Sequence, residues 1–309
     1  MKNPCEILVS VVIPTYSRND MLERAINCAL AQTHQNIEVI VVDDNPIESE
    51  YRAMAANIMK KYADDYRVKY IQNPQNLGGA GARNVGIAAA SGEYIAFLDD
   101  DDEYYPTKVE KQLRVFLNSA SDKLALVYCD VEHANRYGHV DCVIRAKHRG
   151  NCLYEAIVDD CIANTSEWLV KKELLQRVGN FSIVPCKQDS TVIIKLLRAG
   201  YEVDFVPEVL CRYNNFTGVV RISFGPKKVE GERLFHDLCK ESYIEFTKCQ
   251  IRNIEFTYAK RMYLLLKSRK EQREELLAEI GKMWRIKPIS AMLFFIKQKL
   301  RKWKKKLLR

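Results

Sequence analysis

The sequence predicts an α/β protein, a sheet of parallel strands alternating with helices, followed by an extension made of helices alone. Three observations carry this. Strand-like and helix-like patterns alternate from Ile7 to Cys129, and beyond about Val229 only the helical period remains. The apolar run Tyr94 to Leu98 stops in four consecutive aspartates, Asp99 to Asp102. That is the carboxyl end of a strand, where open α/β sheets receive their ligands.

The elements follow in order. Ile7 to Ile13 reads as a buried strand, stopped by Pro14. Asp20 is the expected N-cap of a helix through about Gln32, with Leu22, Ile26, Ala29 and Leu30 as its apolar stripe. Glu38 to Val42 is the second strand, ending at Asp43, Asp44 and Asn45. A helix from about Ser49 to Tyr62 and a strand from Val68 to Gln72 come next. Gly78 to Gly81 form a flexible turn into a helix running to Ala90, closed by Gly92. Tyr94 to Leu98 is the fourth strand and Lys108 to Leu117 a helix. Leu124 to Cys129 completes this half, with Asp130 at its end. Val131 to Arg221 is less regular: a strand-like Glu167 to Lys171, a helix from Lys172 ended by Gly179, and a helix from Ser190 to Ala199 stopped by Gly200. Helices at Gly231 to Lys248, Asn253 to Lys267, Lys270 to Lys282 and from Ser290 onward form the extension. The expected domains are therefore 1–228, with halves of about 1–130 and 131–228, and the helical 229–309.

Composition narrows the class. A hydrophobic fraction of 47% with 28% charged residues suits a globular chain with a proper core. Ten cysteines lie scattered with no CxxC pair, which argues against a zinc site. With no signal peptide at the start, reduced thiols in a cytoplasm are expected. No run of about eighteen apolar residues is present to span a bilayer. The net charge of +8 is uneven: Lys282 to Arg309 hold eleven Lys and Arg and no acid, leaving −3 for the first 281 residues. A slightly acidic body argues against nucleic acid as partner and for an anionic surface met by the tail alone.

Four adjacent carboxylates repel one another and raise each other's pKa values. A hard divalent cation, Mg²⁺ or Mn²⁺, removes that conflict and commonly bridges carboxylate to phosphate. A solvated acidic loop is the alternative, and the position at a strand end argues against it. Strand ends at Pro14, Asp44 and Asp99 would share one edge of the sheet, as a nucleotide-diphosphate pocket requires.

Four segments, in this order and spacing, resemble glycosyltransferase family 2: VSVVIPTYSR (Val9 to Arg18), EVIVVDDN (Glu38 to Asn45), NLGGAGARNVGIAAASGEYIAFLDDDD (Asn76 to Asp102) and KQDSTVIIKLLRAGYEV (Lys187 to Val203). The resemblance covers about Ser10 to Arg221 and implies a GT-A fold with a C-terminal α-helical extension. It also implies the roles. Pro14, Thr15 and Tyr16 form a nucleotide-contacting loop, with Tyr16 placed to stack near the base; a plain strand-ending turn is the alternative. Asp44 matches the carboxylate that accepts the uracil imide N–H, and Asn45 replaces a frequent Gly. Asn76 and Arg83 match a nucleotide-contacting segment, although Arg83 could instead pair with an aspartate. In the D-x-D arrangement Asp101 is the expected direct metal ligand, with Asp99 and Asp100 nearer the ribose and the water shell and Asp99 also available to the metal; four acids leave the register ambiguous by one residue. Asp189 matches the general base, with a helix N-cap as its alternative reading. Gln188 departs from the usual Glu, and Asn214-Asn215-Phe216 stands where many relatives carry a His.

In the tail, Ile296, Leu300, Trp303 and Leu307 recur at helical spacing beside Phe294 and Phe295, with Lys297, Arg301, Lys304 and Lys305 on the polar side. That pattern suits a helix lying in the headgroup region of an anionic membrane, with Trp303 and Phe295 inserted. A domain cap with a solvated basic face is the alternative. Together these imply an inverting, metal-dependent enzyme that moves a sugar from a UDP-sugar to a hydroxyl acceptor, saccharide or lipid-linked saccharide. The expected setting is bacterial cell-surface polysaccharide assembly, in the cytoplasm at the inner face of the membrane. A nucleotidyltransferase lacks support because Pro14 to Asn19 carry no Gly-rich, basic phosphate loop. The rival of another class is a non-catalytic nucleotide-sugar-binding protein at the membrane surface.

Overall fold

The computed structural model describes residues 3–17, 21–135, 137–159, 162–215, 227–267 and 269–307, with backbone alone for 215, 270 and 302–307. Two compact units make up the chain, Met1–Arg221 and Ile222–Arg309.

The first unit runs β1 (Val9–Thr15), α1 (Leu22–Leu30), β2 (Ile37–Asp43), α2 (Glu50–Met59), β3 (Val68–Gln72), α3 (Gly78–Ala89), β4 (Tyr94–Phe97), β5 (Asp102–Tyr104) and α4 (Lys108–Asn118). It continues with β6 (Leu124–Asn135), β7 (Val140–Ile144), α5 (Leu153–Asp159), β8 (Leu169–Lys171), α6 (Lys172–Arg177), α7 (Gln188–Arg198) and β9 (Glu202–Asn215). Among the described residues these strands form one sheet in the order β3-β2-β1-β4-β8-β6-β9-β5, with β7 on β6. The first four are mutually parallel, so the ends of β1, β2 and β4 share one edge.

The sheet is mixed rather than wholly parallel, because β8 runs antiparallel to both β4 and β6. β6 passes through Asp130 instead of ending there, and β9 lies beside it for its whole length. In β9 the register slips between Cys129↔Val206 and Asp130↔Val209, leaving Pro207 and Glu208 unpaired. That bulge breaks the period-two pattern by which a strand is recognised. Pro14 does not stop β1. Val12 carbonyl oxygen takes the last bond from the β4 side, from Leu98 N–H, while Thr15 faces β2 by accepting from Asp44 N–H. By alternation Pro14 points to the side where pairing has already ended, so its missing donor costs nothing.

Gly78 to Gly81 belong to α3 rather than to a turn; Gly78 alone among them has positive φ, at 72°. Further along, a Cβ on Gly86 would lie 2.3 Å from Val12 Cγ1, so α3 packs on β1 at a distance only glycine permits. Asp20 lies outside the described residues.

The second unit contains α8 (Lys227–Lys240), α9 (Lys248–Leu266), α10 (Arg273–Ile286) and α11 (Pro288–Leu307). The expected helix to Lys248 breaks at Lys240, and α9 starts afresh where Thr247 accepts from Gln250 N–H at 3.3 Å while Gln250 Oε1 receives Thr247 N–H at 3.0 Å. Such a capping box fixes a new N-terminus. α11 packs inward through Ala291, Phe294 and Phe295 against Phe256, Ala259 and Met283. The Phe295 ring sits 5.2 Å from Tyr263 and 6.3 Å from Trp284. Phe295 is therefore partly buried against the unit's own core. Ile289, Met292, Leu293, Ile296 and Leu300 stay exposed on the opposite side. The side chains of Trp303 and Leu307 lie outside the described residues.

Candidate active site

The parallel strands deliver their carboxyl-terminal loops to one edge. At the end of β1, Thr15 Oγ1 donates to Asp100 Oδ2 at 2.8 Å, tying the first loop to the acidic one. Tyr16 follows with half its surface exposed. At the end of β2, Asn45 accepts from Ser17 N–H at 2.7 Å and donates to Asp43 Oδ1 at 2.7 Å. The Asn in place of Gly thus cross-links two strand ends.

Asp44 is buried, and its carboxylate accepts from Asn73 Nδ2, Leu77 N–H and Gly78 N–H at 2.8, 2.9 and 2.8 Å. It occupies the N-terminus of α3 as a cap supplied from just past the end of β2, which explains why α3 has no cap of its own. Asn76 Nδ2 donates to Asp44 carbonyl oxygen at 3.0 Å. One turn into α3, Arg83 spans two further elements. Its Nη2 meets Asp99 Oδ1 at 2.5 Å and its Nη1 meets Gln188 Oε1 at 3.2 Å, while its Nε–H is buried without a hydrogen-bond partner. The guanidinium lies 5.6 Å from the Phe181 ring centroid. Gln188 keeps an oxygen acceptor toward Arg83 without adding another negative charge. Gly79 leaves room for this contact, since a Cβ there would sit 3.1 Å from Arg83 Nη1.

The four aspartates have different surroundings. Asp99 pairs with Arg83; Asp100 is buried against Thr15; Asp101 is half-buried, and its carbonyl oxygen receives Asn214 Nδ2 at 2.9 Å. Asp102 is buried and accepts from Ser166 Oγ at 2.7 Å. Burial, with the charges of Asp99 and Asp101 beside it, holds its carboxyl well above the usual carboxylate range. Four carboxyl groups of different burial therefore crowd one short loop. Among the described residues no three His, Cys, Asp or Glu side chains converge as a full ligand cage. This donor set suits a Mg²⁺ or Mn²⁺ held by one or two carboxylates and completed by other oxygen ligands. Asn214, at the departure from the family pattern, sits against this loop and also donates to Glu103 Oε1 at 3.0 Å.

Asp189 lies in the first turn of α7, next to the Gln188 that Arg83 holds. Ser190 N–H donates to its Oδ1 at 2.7 Å. Sequence reasoning missed two neighbours. Ser166 accepts from Asp99 N–H at 3.1 Å while donating to Asp102, so one hydroxyl pins both ends of the acidic run. Glu167 Oε1 accepts from Asn164 N–H at 3.0 Å and Tyr213 O–H at 2.8 Å. Burial pushes the Glu167 carboxyl up to about 7 against those hydrogen bonds, and the charge of Asp189 adds to the rise. The Asn164-x-x-Glu167 spacing is a readable turn signal; nothing in it tells of the acidic loop. Beneath this turn Lys108 is wholly buried, donating to Gln112 Oε1 and Trp168 carbonyl oxygen at 2.8 and 3.0 Å.

The pattern of Glycosyl transferase family 2 matches residues 10–176, more than half of the chain. The chain belongs to glycosyltransferase family 2. An uncharacterized glycosyltransferase of Rickettsia felis is 30% identical over 253 residues, 77% of this chain and 40% of that protein. The amylovoran biosynthesis glycosyltransferase AmsB of Erwinia amylovora is 31% identical over 128 residues, 41% of this chain and 42% of its own. The chain spans about two fifths of the length of these relatives. The S. aureus TarS 1-349 structure in complex with UDP-GlcNAc superposes with a TM-score of 0.62 at 16% identity, covering 91% of this chain and 89% of that one. The fold is GT-A with a helical extension. The family 2 match takes in Asp44, Arg83 and the acidic run, whereas Asp189 lies beyond it.

Proposed function

We propose that this family 2 protein is an inverting, metal-dependent glycosyltransferase that moves a sugar from a UDP-sugar to a hydroxyl acceptor. The observation that carries this reading is the Arg83 bridge, which joins the acidic run at Asp99 to the start of α7 at Gln188. In this reading the bridge links the donor-side carboxylates to the start of the helix that carries the acceptor-side Asp189. The glycosyltransferase names of the relatives and the UDP-GlcNAc complex of TarS support the donor class.

In this reading Pro14, Thr15 and Tyr16 line the nucleotide side with Asp44, Asn76 and Arg83, and Asp99 and Asp100 lie toward the ribose. Asp101, with Asp99, would hold Mg²⁺ or Mn²⁺, which when bound neutralises charge building on the leaving diphosphate. Asp189 takes the proton of the acceptor hydroxyl as the new glycosidic bond forms and the bond to the diphosphate breaks. One displacement with one base inverts the anomeric centre. Ser190 N–H orients that carboxylate. Arg83 ties the acidic loop to α7 through Asp99 and Gln188.

The setting we infer is cell-surface polysaccharide assembly in bacteria, at the cytoplasmic face of the membrane, with the exposed apolar row of α11 lying on an anionic surface. Among the described residues no helix is long and apolar enough to cross a membrane. Calorimetric titration with UDP, GDP and dTDP in Mn²⁺ tests the donor assignment. UDP should bind at least tenfold more tightly than the others, and an equal affinity for GDP would overturn the assignment.

A further inference from the structure

The second unit holds a groove of about 420 Å³ between α9 and α11, lined by residues that include Phe256, Leu264, Leu293 and Phe294. Three cations also line it, Lys260, Lys297 and Arg301, and no lining residue is acidic. Arg252 donates to Ile286 carbonyl oxygen at 2.6 Å, and Lys287 Nζ to Asn253 Oδ1 at 2.8 Å. These bonds set the start of α11 beside the start of α9, so the two helices run the same way. Lys297 and Arg301 then fall toward the far end of the groove and Phe256 and Phe294 toward the near end, with Lys260 between Phe256 and Leu264 on α9. Lys260 is half-buried; burial pushes its ammonium below the ordinary lysine range, and the charges of Arg261 and Lys297 add to that.

Helical geometry adds a second constraint. At 100° per residue Ile289, Met292, Leu293, Ile296 and Leu300 form one stripe, all of them exposed, and Leu293 also lines the groove. The apolar stripe and the groove are therefore one continuous surface with a positive end. An apolar trough lined by three cations and no acidic residue complements an amphiphile with an anionic head.

We propose that the α9–α11 groove binds one anionic phospholipid of the membrane. Its acyl chain lies along Phe256, Leu293 and Phe294, and its phosphate lies among Lys260, Lys297 and Arg301. The proposal rests on the surface attachment put forward above and deepens it from general attraction to a defined site. Diffuse attraction to an anionic leaflet gives each surface lysine about a fivefold effect. Lys299, exposed on α11 but absent from the groove lining, supplies the matched control.

The test measures sedimentation of the full chain with phosphatidylglycerol vesicles. Lys299→Gln should weaken binding by about fivefold. Lys260→Gln, on α9 and off the exposed stripe, should weaken it by tenfold or more, and Lys260→Arg should restore it. In detergent, native mass spectrometry should find one phosphatidylglycerol per chain, lost in Lys260→Gln. Wild-type binding with equal losses in Lys260→Gln and Lys299→Gln would overturn the groove while sparing surface attachment. Failure of the wild type to bind any vesicle would overturn both. Inorganic phosphate at constant ionic strength should not compete; abolition of the Lys260-dependent part would make this a free-phosphate site and refute the lipid.

Discussion

Glu167→Gln isolates a buried acid whose behaviour follows from its surroundings. Glu167 is 4% exposed, and burial, outweighing the hydrogen bonds from Asn164 and Tyr213, pushes its carboxyl up to about 7 from the 4.5 of an ordinary glutamate. Asn164 N–H, Asn164 Nδ2 and Tyr213 O–H all donate to Oε1, an oxygen that glutamine retains. The pKa is raised in the folded state, so this group's stabilisation is fully present below 4.5 and is lost as pH rises through 7. Glutamine does not titrate and escapes that loss. The advantage of the variant should therefore grow by about 2 to 3 kcal/mol between about pH 5 and pH 8.5, at 1.36 kcal/mol per pKa unit. Urea unfolding at the two pH values measures it, in a background with Trp284 and Trp303 changed to Phe so that buried Trp168 alone reports the first unit. An advantage of the same size at both pH values would show that Glu167 is ionised throughout and that the burial argument is wrong.

Asp101→Asn should reduce transfer by about a hundredfold or more, as removal of one electrostatic partner does, with the urea midpoint unchanged. Asp189→Asn should lower turnover by about 10² to 10⁴ while UDP affinity stays within a few-fold, and loss of affinity with retained turnover would reverse the assigned roles. Gly86→Ala should cost about 1 to 3 kcal/mol in urea, because its Cβ would meet Val12 Cγ1 at 2.3 Å; an unchanged midpoint would mean that α3 can move off β1 freely.

Much of the first half was legible because β1, β2 and β4 are short, mostly apolar segments, interrupted only by Ser10 and Glu38, that run into polar residues. β3 has the expected bounds, and β2 and β4 differ only at their ends. What stayed hidden depends on partners distant in sequence. α3 begins at Gly78 because Asp44, just past the end of β2, caps it, and no local residue announces that. β9 is masked by its Pro207 bulge, and Ser166 reaches Asp102 across 64 positions of chain. In the tail the helical period was readable. It could not divide the apolar residues between Phe295, which packs on Tyr263, and Ile296, which is exposed.

The central claim is that the acidic run and Asp189 serve one metal-dependent sugar transfer. The most direct measurement is UDP release from a panel of UDP-sugars by the wild type and by Asp189→Asn, with Mn²⁺ and with EDTA. The wild type should release UDP from at least one donor in Mn²⁺ and lose that release in EDTA, and the variant should release far less. Wild-type turnover undiminished by EDTA, or equal turnover by the two proteins, would contradict the claim.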